Sequence, residues 1–473
     1  MKTQLSSTRV WLAIVASVAL IERLLIIFFY QPVLYSDTPS YRRLADTVLN
    51  GFANYDGTRT PGYPVFLAIT GSDRGAWLVQ LGLGFLTTLL IFYLGWQLTG
   101  RPWFGGMMAL AHTLNLQQLF FESNLLTESL TTFLLVLATA GALLWIRYPR
   151  LRSIWLAFLL GGVSSIALLV RPLFIYLPFF LVIFLLLENR SRRQVAQPLA
   201  DTKPEHTRAP GANQAWRTGA AFLLPVVLLL GGWIAFIHRE FNEWSLTTMT
   251  GYHLVQHTGS YFEYVPDEYT ALRDTYIKYR DEHIARYGTQ TNAIWDAIPE
   301  MSQVSGYSFY ALSRVLAHIS IQLIEQHPVL FIKNAISGWW LFWRAPVYWS
   351  AEAVKLPGVT WLIDSSIQVQ RVVLILINLA FILGSLYFAF IEILSTSRPK
   401  QSPLNNAHRS PTLNAFMWML SANIWIASIL QTLLDHGDNP RFLVPLQSLV
   451  VLWAGLFIFR AVAPRSAHTA PQA

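Results

Sequence analysis

The sequence lacks cysteine and has few charged residues. Cysteine is absent from all 473 positions, which excludes disulfide bonds, thiolate metal sites and a cysteine nucleophile. Charged residues make up 13% of the chain, about half of the roughly 25% that is typical of soluble proteins. This shortage of charge excludes a soluble enzyme, a coiled coil and a disordered protein.

Apolar residues are abundant instead. Hydrophobic side chains form 53% of the sequence, and the mean hydropathy is +0.40. Apolar runs of about 18 or more residues, enough for a helix to cross a bilayer, recur along the chain. We therefore expect an all-α polytopic membrane protein with about ten spanning helices. The expected spans lie at 10–30, 75–99, 103–121, 124–146, 154–170, 172–187, 218–237, 366–394, 413–433 and 442–460.

The positive residues indicate how the spans are oriented. A net charge of +8 would suggest nucleic acid in a soluble protein, but here the positive residues cluster in short loops between apolar runs. We therefore expect no nucleic-acid partner. By the positive-inside rule, these loops and the N-terminus are cytoplasmic. Because successive spans cross the membrane in opposite directions, we expect three stretches to lie outside, at 31–74, 238–365 and 435–441.

The chain divides into three parts. We expect an N-terminal transmembrane bundle, an external segment that forms a small external subdomain, and C-terminal transmembrane helices, at 1–237, 238–365 and 366–473 respectively. Within the external segment, 266–286 and 295–326 have helical patterns. Residues 329–349 are rich in tryptophan, but counting them as a span would reverse the sidedness of the next basic loop. They are therefore expected to form an interfacial helix or a re-entrant segment.

The first external loop, 31–74, carries a candidate catalytic carboxylate, Asp37. Pro39 at a first helical position and Gly51 as a stop signal predict a short amphipathic helix on the outer surface. At its N-terminal edge, either Asp37 or Thr38 merely caps this helix, or Asp37 acts at the membrane boundary as a base for an acceptor hydroxyl. Both interpretations stay open. The predicted apolar face comprises Tyr41, Leu44, Ala45, Val48 and Leu49.

Five sequence elements, taken together, are similar to those of a known enzyme family. In chain order they are Asp37 with Tyr41, Arg59-Thr60-Pro61-Gly62-Tyr63-Pro64, Leu126-Thr127-Glu128, Arg171-Pro172 and Pro440-Arg441-Phe442-Leu443-Val444-Pro445. This set resembles the membrane glycosyltransferases of the GT-C superfamily, in particular the protein mannosyltransferase and aminoarabinose transferase branch. The resemblance covers most of the chain and implies a GT-C-like helical bundle.

The resemblance implies an inverting glycosyltransferase of the bacterial plasma (inner) membrane, with its active site facing the outside or periplasm. The donor would be a polyprenyl-phosphate-linked sugar, and the acceptor a hydroxyl or amine of a lipid, a glycan or a protein, with membrane lipids around it. The general base would be Asp37. Donor phosphate binding would fall to Arg441, with Arg59 as a second ligand. For Arg59, snorkelling to lipid headgroups is an equal alternative.

Two departures from the family's pattern bear on the site. Many relatives have two adjacent acidic residues in the first loop, whereas Thr38 follows Asp37 here. This weakens the case for a divalent cation, Mg²⁺ or Mn²⁺, and leaves the metal undetermined. Phe442 stands where the family has tyrosine, which removes a hydroxyl that would reach the phosphate.

Further residues are candidates for contacts with substrate or metal: Glu122, Glu128, Asp438, Tyr63 and His257. Glu122 and Glu128 bracket the turn between the third and fourth expected spans, where an ionisable group is costly unless it faces a cavity or a partner. Interfacial solvation and helix capping are the structural alternatives for both. Asp438 lies beside Arg441 in a short polar loop, which is also consistent with a simple turn.

Three other ionisable groups have structural explanations. His253 lies four residues before His257, a spacing that can hold a metal on a helix, but the flanking Gly251 and Gly259 argue against a helix there. Glu22 and Arg23 lie within the first span. Adjacent residues do not face each other on a helix, so each needs a partner elsewhere in the bundle.

Two functions from other classes stay open as alternatives. A transporter or flippase of lipid-linked sugars predicts charges deep within several spans and repeat symmetry between the halves of the chain. A non-catalytic cell-envelope assembly protein predicts that replacing Asp37 by asparagine leaves function intact.

Overall fold

The computed structural model describes residues 2–196, 212–396, 411–435 and 440–462. Within these ranges the chain is almost entirely helical, and the extended pairing is limited to one isolated parallel bridge between Val33 and Asn124. The predicted all-α fold is confirmed. Asp438 lies outside the described residues.

The helices of the N-terminal part alternate between long and short elements. A π-helical turn at Val227–Gly231 joins the last two of them. The helices are α1 (Lys2–Phe29), α2 (Thr38–Leu49), α3 (Gly62–Thr70), α4 (Asp73–Thr99), α5 (Pro102–Thr113), α6 (Leu116–Ser123), α7 (Glu128–Arg147), α8 (Ile154–Val170), α9 (Tyr176–Ala196), α10 (Ala212–Val226) and α11 (Gly232–Phe241).

The external segment is helical as well, and long helices follow it. Its elements are α12 (Thr250–Thr258), α13 (Thr270–Tyr287), α14 (Ala293–Ser305), α15 (Phe309–Gln326) and α16 (Pro328–Phe342). The C-terminal helices are α17 (Thr360–Thr396), α18 (Pro411–Leu434) and α19 (Val444–Val462).

Seven helical stretches within the described ranges are long and apolar enough to cross a bilayer. This is the architecture of a multi-pass membrane protein. The stretches are Ser6–Phe29, Asp73–Thr99, Glu128–Arg147, Ala215–Phe241, Thr360–Leu394, Pro411–Leu434 and Pro440–Val462. The expected spans at 154–170 and 172–187 are apolar helices too, but they are shorter. In the tryptophan-rich region, α16 meets α15 at a bend of 105°.

The expected continuous span at 103–121 is wrong, because the chain breaks between α5 and α6. Asn115 caps α6 by accepting a hydrogen bond from the backbone N–H of Gln117. The Gln370 side chain of α17 accepts from the Leu116 N–H and donates to the Leu114 carbonyl, at 2.6 and 3.0 Å. Polar side chains thus satisfy the backbone groups that the break exposes.

The external subdomain has its own core, formed where α12 to α15 pack together around Tyr252, Phe262, Tyr276, Met301 and Leu316. The expectation that glycines prevent a helix around His253 and His257 is wrong, since both residues lie in α12. A Cβ atom on Gly251 would lie 1.8 Å from the Ser313 carbonyl oxygen of α15. This glycine serves close helix packing, and tertiary contacts override its low helix propensity.

The predicted amphipathic helix of the first external loop forms as α2. Tyr41, Leu44 and Ala45 are buried as expected, but Leu49 is 69% exposed because it is the last residue of the helix.

The three stretches that we expect to be external contact one another. The Thr248 N–H donates to the Gly57 carbonyl at 2.9 Å, and the His253 Nδ1 atom of α12 lies 3.4 Å from the Asp435 carboxylate at the end of α18. These contacts gather the loops at one end of the helical bundle, where the candidate site lies.

Candidate functional site

Asp37 lies between two arginines from distant parts of the chain. Its Oδ1 atom accepts from Arg59 Nη2 at 2.7 Å, and its Oδ2 atom accepts from Arg441 Nη2 at 2.5 Å. The Asp37 side chain makes no capping hydrogen bond to α2, so the capping interpretation is wrong. Arg59 pairs with the same carboxylate, and its side chain is 24% exposed.

A second carboxylate, Glu128, extends this arrangement at the start of α7. Its Oε1 atom lies 3.1 Å from Arg171 Nη1 and 3.6 Å from Arg441 Nε. The Glu128 side chain is only 1% exposed. Arg441 therefore links both carboxylates. We call this group the outer cluster: Asp37, Arg59, Glu128, Arg171 and Arg441.

The outer cluster carries an excess of positive charge, since three guanidinium groups face two carboxylates. Three of its buried donors also lack an acceptor with hydrogen-bond geometry among the described residues: Arg59 Nε, Arg171 Nη1 and Arg441 Nε. Of these, Arg171 Nη1 and Arg441 Nε still lie 3.1 and 3.6 Å from the Glu128 carboxylate. Leaving a buried donor unpaired is costly, so this cluster is suited to receive an anion.

Aromatic rings pack against the arginines. The Arg59 guanidinium lies over the Tyr41 ring at 5.4 Å, and that of Arg171 lies over the Phe442 ring at 4.4 Å. Tyr63 packs edge-on against Tyr41, with ring centroids 5.0 Å apart. These cation–π contacts limit the arginine side chains to a few orientations.

The arginines also control the protonation of Asp37. Burial by itself would raise the pKa of this carboxyl, but the charges of Arg441 and Arg59 outweigh burial and hold the pKa below its usual value of 3.8. Asp37 is therefore ionised near neutral pH. While both arginines hold it, Asp37 is a weak base.

The end of α6 and the two residues after it, 122–125, position the loop that carries Asp37. The Val33 N–H donates to the Ser123 carbonyl at 2.9 Å, and the Leu125 N–H donates to the Val33 carbonyl at 3.0 Å. Thr38 then donates its hydroxyl to the Leu125 carbonyl. These bonds fix the backbone on both sides of Asp37 and depend on the break between α5 and α6.

Glu122 does not join the outer cluster. Its carboxylate accepts from Arg23 Nε at 3.1 Å and from Arg23 Nη2 at 2.6 Å, and its residue is only 2% exposed. The Thr113 hydroxyl accepts from Arg23 Nη1 and donates to Glu22. The prediction that Glu22 and Arg23 find partners elsewhere in the bundle is confirmed, but the expectation that the two residues do not face each other is wrong, since Arg23 Nη1 lies 3.6 Å from the Glu22 carboxylate. We call this second group the inner cluster: Glu22, Arg23, Thr113 and Glu122.

Two other predicted residues lie in packed surroundings. Tyr63 is fully buried and donates its hydroxyl to Gln80 Oε1 at 2.9 Å. Because its ring packs against that of Tyr41, it helps to hold Tyr41 in place. His257 is fully buried within the external subdomain, with its ring centroid 5.1 Å from that of Phe331. The last predicted residue, Asp438, lies outside the described residues.

Arg171 belongs to one of the sequence motifs, but no role was predicted for it. The structure places this residue, 5% exposed, against Glu128. A signal for it was present, because an arginine between two apolar runs needs an acidic partner.

The outer cluster is a poor fit for a divalent cation. Both Asp37 oxygens already accept from arginines, and the excess positive charge would repel Mg²⁺ or Mn²⁺. Within the described residues, no three histidine, aspartate or glutamate side chains converge as a metal site would require. In this structure the Glu128 and Asp37 carboxylates contact cations of the protein itself.

No family model matches the chain, and no curated protein is significantly similar to it. The case for a function therefore depends on the geometry of the outer cluster.

Proposed function

We propose that this protein is an integral membrane glycosyltransferase that transfers a sugar from a polyprenyl-phosphate-linked donor to an acceptor hydroxyl or amine on the outer face of the membrane. The observation that carries the proposal is the position of Asp37 between Arg59 and Arg441, at 2.7 and 2.5 Å. A carboxylate beside two phosphate ligands combines a base with a site for the leaving group.

The charge of the outer cluster matches that of the proposed donor. A sugar linked to a lipid through one phosphate is a phosphodiester with a single negative charge, and the cluster has one guanidinium in excess of its carboxylates. The unsatisfied Nε donors of Arg59 and Arg441 would gain acceptors from the phosphate oxygens. Arginine suits this role because its planar fork of donors fits phosphate geometry.

Phosphate binding would also prepare the base. As the phosphate oxygens take donors from Arg59 and Arg441, the Asp37 carboxylate loses the contacts that lower its pKa, and its basicity rises. Before the donor binds, Asp37 is ionised but only weakly basic, so it would become an effective base only once the donor is in place.

The proposed reaction is a single displacement with inversion. Asp37 accepts the proton of the acceptor, and the acceptor oxygen or nitrogen forms a bond to the anomeric carbon. The bond between that carbon and the phosphate oxygen breaks, and its electron pair leaves with the polyprenyl phosphate. Arg441 and Arg59 stabilise the charge that develops on this leaving group.

The test is the release of free polyprenyl phosphate by purified protein in detergent. The protein is mixed with a total lipid extract of the host and acceptor-containing membranes, and the product is measured by mass spectrometry. We expect release by the wild type and a loss of about 100-fold or more in the Asp37→Asn variant, the lower bound for removing a general base.

The matched control is Asp56→Asn, in the same loop. Asp56 also pairs with an arginine, Arg43, at 2.7 Å, but at an exposed position. This variant should retain release. Equal release by wild type and Asp37→Asn would refute the role of Asp37 as the base. Release by neither, with an unrelated transferase active in the same extract, would refute the proposed transferase activity.

A second candidate function is the transport of a lipid-linked sugar. The inner cluster favours it, since charged residues buried among spanning helices are typical of transport pathways. Detergent abolishes sidedness, so a flippase gives no release in the same assay. A non-catalytic assembly role predicts instead that Asp37→Asn leaves the cell-envelope phenotype unchanged.

A further inference from the structure

Three aromatic rings form a continuous row beside the outer cluster. The ring centroids of Tyr35 and Tyr348 are 5.5 Å apart, and those of Tyr348 and Phe121 are 5.3 Å apart with planes inclined by 27°. Tyr35 lies in the first external loop, Phe121 on α6, and Tyr348 in the extended segment after α16. We call these three residues the aromatic wall.

The aromatic wall adjoins the reacting groups of the proposed enzyme. Tyr35 is two residues from Asp37, and its backbone N–H donates to Thr38 Oγ1 at 3.0 Å. Tyr348 interacts electrostatically with Arg441 and Asp37. Burial raises the pKa of Tyr348, although Arg441 opposes this effect, so its phenol is neutral near neutral pH.

One buried side chain joins both tyrosines to the segment that positions Asp37. The Asn124 Nδ2 atom donates to the Tyr348 carbonyl at 2.9 Å, and the Asn124 side chain also interacts with the Tyr35 phenol. Asn124 is fully buried. Asn124 therefore ties the backbone at Tyr348 to the segment that positions Asp37, and such a connection favours a preorganised binding surface.

The exposure of the wall changes along the row. Phe121 is 1% exposed, whereas Tyr35 and Tyr348 are both partly exposed. The row thus has a buried apolar end and an accessible end with hydroxyl groups. Phe121 stacks on Tyr348 and covers one of its faces, which leaves the exposed parts of the Tyr35 and Tyr348 rings, with their hydroxyl groups. Such a surface is suited to a ligand that is apolar on one face and polar at its rim, as a pyranose ring is.

We propose that the aromatic wall is the sugar-binding surface of the site, on which the pyranose ring of the lipid-linked donor stacks while its phosphate lies against Arg441 and Arg59. This inference depends on the function proposed above and names the part of the donor that Tyr35 and Tyr348 recognise. Stacking depends on the C–H face of the ring, so the wall binds pyranoses as a class and leaves stereochemical selection to other groups.

The test compares phosphodiesters with and without the sugar. The affinity of the purified protein is measured for farnesyl phosphate, for farnesyl methyl phosphate and for farnesyl phosphate esterified to mannose, glucose or aminoarabinose. The wild type should bind at least one sugar ester more tightly than farnesyl methyl phosphate, the sugar-free phosphodiester. In Tyr348→Ala and Tyr35→Ala, this preference should fall about 3- to 10-fold, the range of one aromatic stacking contact.

Two variants separate stacking from folding. Tyr348→Phe keeps the ring and should keep most of the preference, within about twofold. Tyr264→Ala is the matched control, because Tyr264 is a half-exposed tyrosine that stacks on His327 in the external subdomain. It should leave both affinities unchanged. Farnesyl phosphate should bind all four variants as it binds the wild type, which a merely structural role of the wall would not predict.

Failure of this inference is distinguishable from failure of the proposed function. If farnesyl phosphate binds and Arg441→Ala abolishes binding, the phosphate site stands. An unchanged sugar preference in both alanine variants, or a wild type with no preference, then overturns the aromatic wall alone. A wild type that binds neither class of ligand overturns both proposals.

Discussion

The inner and outer clusters are two groups of buried charge that differ in their hydrogen bonding. In the inner cluster, every nitrogen of the Arg23 guanidinium donates, to Glu122, to Thr113 and to the Ala19 carbonyl. In the outer cluster, Arg59 Nε and Arg441 Nε have no acceptor among the described residues. All guanidinium donors of the inner cluster thus have acceptors, whereas the outer cluster retains donors without acceptors.

The two clusters also differ in exposure and in the sign of their excess charge. The side chains of Arg23 and Glu122 are 5% and 3% exposed, whereas those of Arg59 and Arg441 are 24% and 17% exposed. The inner cluster has two carboxylates for one guanidinium, and the outer cluster has three guanidinium groups for two carboxylates. A buried group whose donors all have acceptors contributes to the fold. A partly exposed group whose donors lack acceptors is suited to binding a ligand.

The largest effect that this comparison predicts is on stability. Arg23→Ala leaves the buried Glu122 carboxylate without its partner, which costs about 3–5 kcal/mol in comparable cases. We expect a marked loss of folded protein in a detergent unfolding titration. The exposed pair of Arg43 with Asp56 supplies the control, since Arg43→Ala should cost less than about 1 kcal/mol.

A comparable effect on activity is expected in the outer cluster. Arg441→Ala should lower the rate of polyprenyl phosphate release about 100- to 1000-fold, as removal of one donor to a developing oxyanion does in other enzymes. Arg441→Lys should restore part of this rate, because it keeps the charge but lacks the planar fork. Similar rates for wild type and Arg441→Ala would show that the comparison assigns the ligand to the wrong cluster.

A smaller change in the inner cluster tests whether it is separate from catalysis. A Cβ atom on Gly84 would lie 2.0 Å from the Glu122 carboxylate, so Gly84→Ala forces that side chain to move. We expect a loss of stability of about 1–3 kcal/mol, typical of overpacking. At a temperature where the variant is folded, its release rate should stay within about twofold of the wild type. A rate loss like that of Arg441→Ala would show that the clusters are coupled.

The smallest expected effect is that of pH on the free enzyme. The pKa of Asp37 is lowered below 3.8, so Asp37 stabilises the fold above that pH, and its contribution is lost as pH falls through the lowered pKa. Asp37, the proposed base, is ionised in the free enzyme throughout pH 5 to 7. The value of kcat/KM should therefore change less than about twofold between pH 5 and 7. An acidic limb near pH 6 would identify a different group as the base.

The sequence predicted the long helices better than the short ones. Long apolar runs have one stable form in a bilayer, the helix. Their expected positions are therefore close to those of α1, α4, α7 and α17 to α19. The break between α5 and α6 was missed because a single asparagine cap, Asn115, acts together with Gln370 from a distant helix. Such long-range partners are not visible in a local pattern.

The candidate site was predicted in part. Asp37, Arg59 and Arg441 were identified from motifs, and the structure brings them together. Glu122 and Glu128 were predicted together as contacts for substrate or metal. Their environments differ, because Arg23 pairs with Glu122 and Arg171 pairs with Glu128. The aromatic wall was missed because Tyr348 reaches Tyr35 only through the fold of the external segment.

The central claim is that the excess positive charge of the outer cluster receives a lipid phosphate. The most direct measurement is the shift in unfolding temperature that farnesyl phosphate causes in the wild type, Arg441→Ala and Gly84→Ala, with uncharged farnesol as the control ligand. Ligand that binds only the folded state must raise this temperature. We predict a shift in the wild type and in Gly84→Ala, and none in Arg441→Ala or with farnesol. An undiminished shift in Arg441→Ala would contradict the account.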